Sequence, residues 1–402
     1  MKVNKWTTAL ASAGVLSGAI AIQAEESPVM TALSSTTISG FVDTSMQWNP
    51  GTGNGNVGQY PFNAGKQDGF NLNAVNVTIS KPMDEGQWAA GYHVDLMFGP
   101  NAVGYNPSFF GDSTSDFAVK QAYVTLRAPV GNGLDFKVGV FDAIIGYEGA
   151  YSVFNPNYTT SYGWAIEPTQ HTGVLMSYEF NDVFSASAGV ANTLTAGINS
   201  RANFIGAGTT GTKAESQKTW MGSVAVTAPE SMGWFAGSTL YGGIIYGFAG
   251  PSTAVGGTPA NQNQVNYYVG GTMTTPLEDL TLGAAWDYAG ASGNTTQGVN
   301  NGSYYQNVFA LYASYQVTEK MSLHGRGEYG AGDLLYSTGP GAPGSVWAAT
   351  VDVEYQLWSN VLTRAEVRWD QTKGQWFGGD QYNGAADKQN DFMLALQIAY
   401  LF

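Results

Sequence analysis

Histidine, cysteine and paired carboxylates are the residue types that most often do covalent chemistry, and this chain of 402 residues is poor in them. It has three histidines, His93, His171 and His324, and no cysteine. None of the histidines sits in a G-x-S-x-G or H-E-x-x-H context, so no nucleophile elbow or zinc-binding helix is written locally. Thiolate metal sites and cysteine nucleophiles are excluded outright. The long polar stretches hold acids such as Asp112 and Asp116, or Asp380 and Asp387, but without EF-hand spacing. Walker and Rossmann glycine patterns are absent. No catalytic residue, metal or cofactor is therefore expected.

What the chain does have is ionic side chains at every second position. Arg364, Glu366, Arg368 and Asp370 alternate with Ala365, Val367 and Trp369; Asp352 and Glu354 alternate with Val351, Val353 and Tyr355. Arg326 and Glu328 follow His324 in the same way, and Asp135 and Lys137 oppose Leu134, Phe136 and Val138. A period of two puts all the charges of a strand on one face. Such rows could bind nothing covalently, but they could line a surface that polar solutes or ions pass. The alternative is that they pair with one another across neighbouring strands.

The elements that must carry these rows are strands. About sixteen alternating segments, near 36–48, 69–80, 87–98, 117–128, 134–142, 171–180, 183–192, 218–228, 234–248, 264–275, 279–289, 304–316, 320–330, 346–357, 361–370 and 391–402, run for roughly 9–13 residues, the length of a tilted membrane strand. Short turns such as APVGNG (128–133) and WSN (358–360) alternate with long Gly-, Asn- and Ser-rich stretches. The apolar parity mixes Gly, Ala and large aromatics, and the aromatics cluster at strand ends (Trp88 and Phe98, Trp347 and Tyr355) as interfacial girdles do. A charge on the lipid face at mid-depth would cost roughly 2–4 kcal/mol, and the charges fall on the other parity. Lys120 and Lys218 break the rule and are expected at the rim. The fold class expected is thus all-β: a transmembrane antiparallel up-and-down β-barrel over 36–402, with short periplasmic turns, long extracellular loops and both termini on the short-turn side. A soluble β-sandwich would carry a denser Val/Ile/Leu core face.

Composition agrees. Only 11% of residues are charged, against roughly 25% in soluble domains. A net charge of −14 argues against nucleic acid, which needs Lys/Arg clusters. Residues 1–24 have the charged start (Lys2, Lys5), apolar middle and small-residue end (Ala21-Ile22-Gln23-Ala24) of a cleaved secretory signal. Its loss leaves 14 basic and 30 acidic residues, net −16, and a short periplasmic lead at 25–35. The expected location is the outer membrane of a Gram-negative cell, in contact with its lipid.

The block KQAYVTLRAPVGNGLDFKVGVFDAIIGYEGAYSVFNPNYTTSYGWAIEPTQHTGVLMSYEF (120–180), with the opening strand TISGFVDTSMQW (37–48) and the last strand, resembles the OmpL-like family of outer-membrane β-barrel porins. The resemblance implies a pore-forming protein without enzymatic activity and carries no residue roles. The C-terminal strand, with Tyr400 and Phe402 on its apolar face, is similar to the signature read by the barrel assembly machinery. The aromatic stretch 143–170 resembles the third loop of general porins, which folds inward. Its Tyr151 and neighbouring aromatics need something to pack on, either the inner wall or the loops over the outer mouth. In the first case Glu148 and Glu167 would face Arg326, Arg364 and Arg368 across the channel and set a transverse field. The function expected is a water-filled channel for small hydrophilic solutes or ions, weakly cation-preferring from the net charge, with a homotrimer as the default assembly. The alternative is an adhesion or structural barrel with an occluded lumen.

Overall fold

The computed structural model describes residues 35–51, 68–84, 86–103, 105, 115–194, 198–199, 218–248, 263–291, 294–296, 299–301, 303–332, 344–379 and 386–402. The signal segment 1–24, most of the lead 25–35 and the acids Asp112 and Asp380 lie outside them. In chain order the strands are β1 (Thr37–Trp48), β2 (Gly69–Lys81), β3 (Ala89–Phe98), β4 (Phe117–Ala128), β5 (Leu134–Asp142), β6 (Gln170–Glu179), β7 (Phe184–Ala191), β8 (Thr219–Thr227), β9 (Thr239–Phe248), β10 (Asn263–Thr274), β11 (Leu280–Ala291), β12 (Asn294–Thr296), β13 (Val299–Asn301), β14 (Tyr304–Gln316), β15 (Met321–Gly332), β16 (Ser345–Trp358), β17 (Val361–Thr372) and β18 (Asn390–Leu401). All but β12 and β13, which form a separate hairpin, close into one antiparallel barrel of sixteen strands in which each pairs with its sequence neighbours. β1 and β18 seal it, with Phe41 opposite Leu401 and Trp48 opposite Leu394.

The alternation resolves as an outside and an inside. On β16, Trp347, Val351 and Val353 are exposed, while Thr350, Asp352 and Glu354 between them are buried. Arg364, Glu366, Arg368 and Asp370 are all buried on β17, with Ala365, Val367 and Trp369 outward. Exposed rings ring both ends of the barrel: Trp48, Phe70, Phe98, Trp220 and Trp347 at the long-loop end, Trp88, Phe180, Trp234, Trp358 and Tyr400 at the other.

Three differences from the sequence reading have local causes. β9 begins at Thr239 rather than 234, because Glu230–Phe235 forms a 3₁₀ turn and Gly233 and Gly237 adopt positive φ of 62° and 80°. The hairpin β12–β13 is too short for periodicity to reveal. Lys120 lies inside, not at the rim: Asp95 pairs with Gln121 and Leu96 with Val119, so Lys120 is the extra residue of a β-bulge. A bulge re-aims one side chain against the strand's parity. The same device on β2, where Asp43 pairs with Ala74 and Thr44 with Leu72, turns Asn73 inward. Lys218 is half-buried immediately before β8, at the loop end as expected.

Candidate functional site

The connection from β5 to β6, the stretch 143–170 read from sequence, folds into the barrel instead of over its mouth. It has two sides, and the wall is divided to match. Ile144, Ile145 and Tyr147 join a buried cluster with Leu175, Met221, Tyr241, Ile245, Tyr268 and Tyr312 on the wall from β6 to β14. Tyr147 stacks on Tyr312 at 3.9 Å with planes 16° apart. The opposite side of the loop offers mainly backbone groups, with the side chains of Glu148, Thr159 and Tyr162 among them, and the ionic rows of β15–β17 receive it.

Arg326 donates to Thr159 O (2.6 Å) and Thr160 O (3.2 Å), and pairs with Glu148 and Glu328 at 2.8 Å each. Arg364 donates to Ser152 O (2.6 Å) and Asn155 O (2.7 Å) while paired with Glu354 at 2.7 Å. Arg368 donates to Thr160 O (2.7 Å), pairs with Asp370 at 2.9 Å and lies over the Tyr162 ring. The acids take the loop's donors. Glu366 accepts from the N–H of Tyr158 (2.7 Å) and Thr159, and from the Thr159 hydroxyl (2.6 Å). Glu328 accepts from Tyr162 N–H (2.6 Å), Glu148 from Ser161 N–H (2.7 Å) and Asp370 from the Tyr162 hydroxyl (2.7 Å). Asp352 stands opposite Glu366 on the neighbouring strand, buried beside it. Charge-assisted bonds of this kind are the strong ones, and every member is out of water.

The arrangement corrects the transverse-field expectation. Glu148 touches Arg326 instead of facing it across a gap, and Glu167 lies against a different wall. Glu167 lies beside Asp287 on β11, both of them buried. Burial, then the Asp287 charge, holds the Glu167 carboxyl well above the usual carboxylate range. Two glycines make room for the pair. A Cβ on Gly146 (φ 120°) would come 2.2 Å from Glu167 Oε2, and one on Gly163 2.3 Å from Asp287 Oδ2.

Along β3–β5 the inner wall is looser. The flank of the loop facing it carries Ala150, Tyr151 and Trp164, half-buried, and Phe154, 36% exposed. Tyr151 donates to Asp95 Oδ2 (2.6 Å) and meets Phe41 edge to face. Beyond it His93 stacks on Tyr123 (5.1 Å, 15°), Lys137 Nζ lies 5.1 Å over the same ring, and Lys120 pairs with Asp142 under Tyr105. His93, Tyr123 and Lys137 are half-buried. Of the candidate pore-lining residues read from sequence, only Tyr151 and Lys137 stand at this margin, with the histidine His93 beside them. Sequence reasoning placed Lys120 at the rim, because the bulge hides its true face, and missed Tyr123 and Asp142, which carry no motif. It also missed the loop carbonyls of Ser152, Asn155, Thr159 and Thr160, because a backbone acceptor leaves no compositional trace.

Among the described residues, no group of three or more His, Cys, Asp or Glu is arranged to hold a metal ion. A closed sixteen-stranded barrel, polar within and apolar without, with its third long connection folded into the lumen, is an outer-membrane barrel of the porin class. Within that class the chain belongs to the family described as "Putative beta-barrel porin-2, OmpL-like", whose model matches residues 35–402. No curated protein sequence matches it. Solved structures share the fold at low identity. Salmonella typhi OmpF in complex with daunomycin has a TM-score of 0.59 at 12% identity, covering 91% of this chain and 97% of that one. The outer membrane channel DcaP of Acinetobacter baumannii has 0.57 at 11%, covering 91% and 97%. The anion-selective porin from Comamonas acidovorans has 0.57 at 13%, covering 92% and 99%.

Proposed function

We propose that this barrel is a passive diffusion channel for small hydrophilic solutes and ions, weakly cation-preferring. The observation that carries this reading is the division of the inner wall: β15–β18 are sealed onto the loop, while His93, Tyr123 and Lys137 on the polar wall of β3–β5 are half-exposed beside the loop's aromatic flank. A sixteen-stranded barrel is wide enough to leave an aqueous route beside one inserted loop. The family, and structural neighbours that are themselves a channel and a porin, support it. Their solutes and the anion selectivity of one of them do not transfer at such identity. The weak cation preference rests on the net charge of −14, which becomes −16 without residues 1–24.

Export by cleavage of 1–24, periplasmic termini, assembly through the strand ending in Tyr400 and Phe402, and a homotrimer in outer-membrane lipid complete the reading; 143–170 is its constriction. One solved structure of this fold, the outer membrane protein OmpT of Vibrio cholerae, is described in a trimer form.

A second reading, a barrel with an occluded lumen that serves adhesion or structure, draws support from the full burial of the arginine-loop junction. Single-channel recording in planar bilayers separates the two. Stable unitary currents, with a reversal potential toward the cation in a KCl gradient, are expected. Insertion without conductance favours occlusion, and a chloride-favouring reversal rejects the cation preference.

A further inference from the structure

Six cations face the inside of the barrel from its strands: Lys120, Arg127, Lys137, Arg326, Arg364 and Arg368. Five are compensated. Lys120 pairs with Asp142, Arg127 with Asp135 at 2.6 Å, Arg326 with Glu148 and Glu328, Arg364 with Glu354 and Arg368 with Asp370. Lys137 has no carboxylate within ion-pair distance among the described residues; its ammonium rests over Tyr123. The three arginines that sequence alone would place in a selectivity filter have 4% exposure or less, and their guanidinium groups are occupied by loop carbonyls. A permeating ion cannot approach a charge that is both covered and neutralised. Lys137 is half-buried, on the side of the lumen where His93 and Tyr123 are too.

We infer that Lys137 is the specificity-determining charge of the channel, and that Arg326, Arg364 and Arg368 are a clasp for the loop with no direct part in selecting ions. This rests on the reading of the barrel as an open channel. The nearest acids qualify the local field without cancelling it. Asp142 is spent on Lys120 and Asp135 on Arg127, whereas Asp95 is 2% exposed and bonded to Asn76, Thr78 and Tyr151. In number, Lys120, Arg127 and Lys137 are matched by Asp95, Asp135 and Asp142, so the wall as a whole is formally neutral; the local field at Lys137, half-exposed and without a direct ionic partner while Asp95 is covered, is positive and opposes the cation preference set by the rest of the molecule.

The chain has no cysteine, so Lys137→Cys introduces a unique thiol. In a bilayer under a KCl gradient, this variant is expected to shift the reversal potential toward the cation. The permeability of each ion should change roughly two- to six-fold, in opposite directions for cation and anion, which is what one unit charge produces at about 4–8 Å in a water-like medium. A cationic methanethiosulfonate added to the open channel forms a mixed disulfide, releases methanesulfinate and the thiol proton, and should return the ratio to the wild-type value; an anionic one should push it further. Lys320→Cys, which removes a charge from the exposed turn between β14 and β15, is expected to leave the ratio unchanged even when its thiol reacts with the same reagents. A Lys137→Cys channel that conducts but keeps the wild-type reversal, or ignores both reagents, overturns the assignment while leaving the channel reading intact. A wild-type protein that inserts and passes no current overturns that reading itself.

Discussion

Arg326 shows what the buried charges are for. Its guanidinium joins two carboxylates, two loop carbonyls and the hydroxyls of Thr159 and Thr350. Replacing such an ion by an apolar group leaves partners that can neither reach water nor find another cation, which costs about 3–5 kcal/mol when the group is deeply buried. Arg326→Ala strands Glu148 and Glu328 in this way, and an unfolding titration in lipid vesicles is expected to register a loss of that size. Arg326→Lys recovers only part of it, because a single ammonium cannot hold the fork of donors that reaches both Thr159 O and Thr160 O. Full recovery with Lys would mean that charge alone matters and that the carbonyl bonds contribute nothing. The residue scale is also where sequence and structure diverge most sharply. The row Arg364, Glu366, Arg368, Asp370 declares its shared face through period two. Lys120 conceals its own, because one extra residue in β4 reverses the parity that a reader counts.

At the scale of elements, the strands were legible and the loop's destination was not. Each barrel strand begins and ends within about two residues of its alternating segment, except β9, where Gly233 and Gly237 break the chain before Thr239. Alternation is a local property fixed by which face meets lipid. The docking of 143–170 depends on partners hundreds of residues away, such as Glu366 for Tyr158 N–H, and no local pattern records them. The short helix Tyr162–Ile166, capped by Ser161 accepting from Trp164 N–H, is likewise too brief to show a 3.6-residue period. The seating of this loop should respond to pH through Glu167. Glu148 faces the Glu167–Asp287 pair from the loop, Tyr268 from β10 and Glu328 from β15. A carboxyl whose value is raised on docking is bound best in its protonated form. Its contribution is complete below the free-carboxyl range near 4.3 and is lost as pH climbs through the raised value. The loop is therefore expected to sit firmly at acid pH and loosen with alkalinity, so open-channel noise and mean conductance should rise across a series from pH 5 to 10. Glu167→Gln should flatten that rise. A conductance that falls as pH increases, or a rise untouched by Glu167→Gln, would contradict the latch.

For the whole molecule, closure of the cylinder is the step that leaves no unpaired strand edge in lipid. The seam is made between the two ends of the barrel chain. Gly40 N–H donates to Phe402 O at 2.8 Å and Phe402 N–H to Gly40 O at 2.9 Å, which ties the last residue across β1. The Phe402 ring lies so close to Gly40 that a Cβ there would come 2.8 Å from the ring and 2.1 Å from Asn76 O on β2. Tyr400 and Ile398, exposed beside it on β18, extend the lipid-facing row up the seam. The ring thus contributes apolar area at the membrane boundary, while its backbone completes the ladder. The two contributions separate experimentally. Phe402→Ala removes the ring and keeps both backbone bonds; deletion of Phe402 removes all three. Folded barrel and unfolded chain of this type are distinguished by heat-dependent migration on a denaturing gel. Refolding into vesicles should give a modestly lower folded fraction for the alanine variant and a severe loss for the deletion. Equal yields from all three proteins would show that the seam closes without its last residue, and would leave the apolar row from Leu396 to Tyr400 to account for assembly by itself.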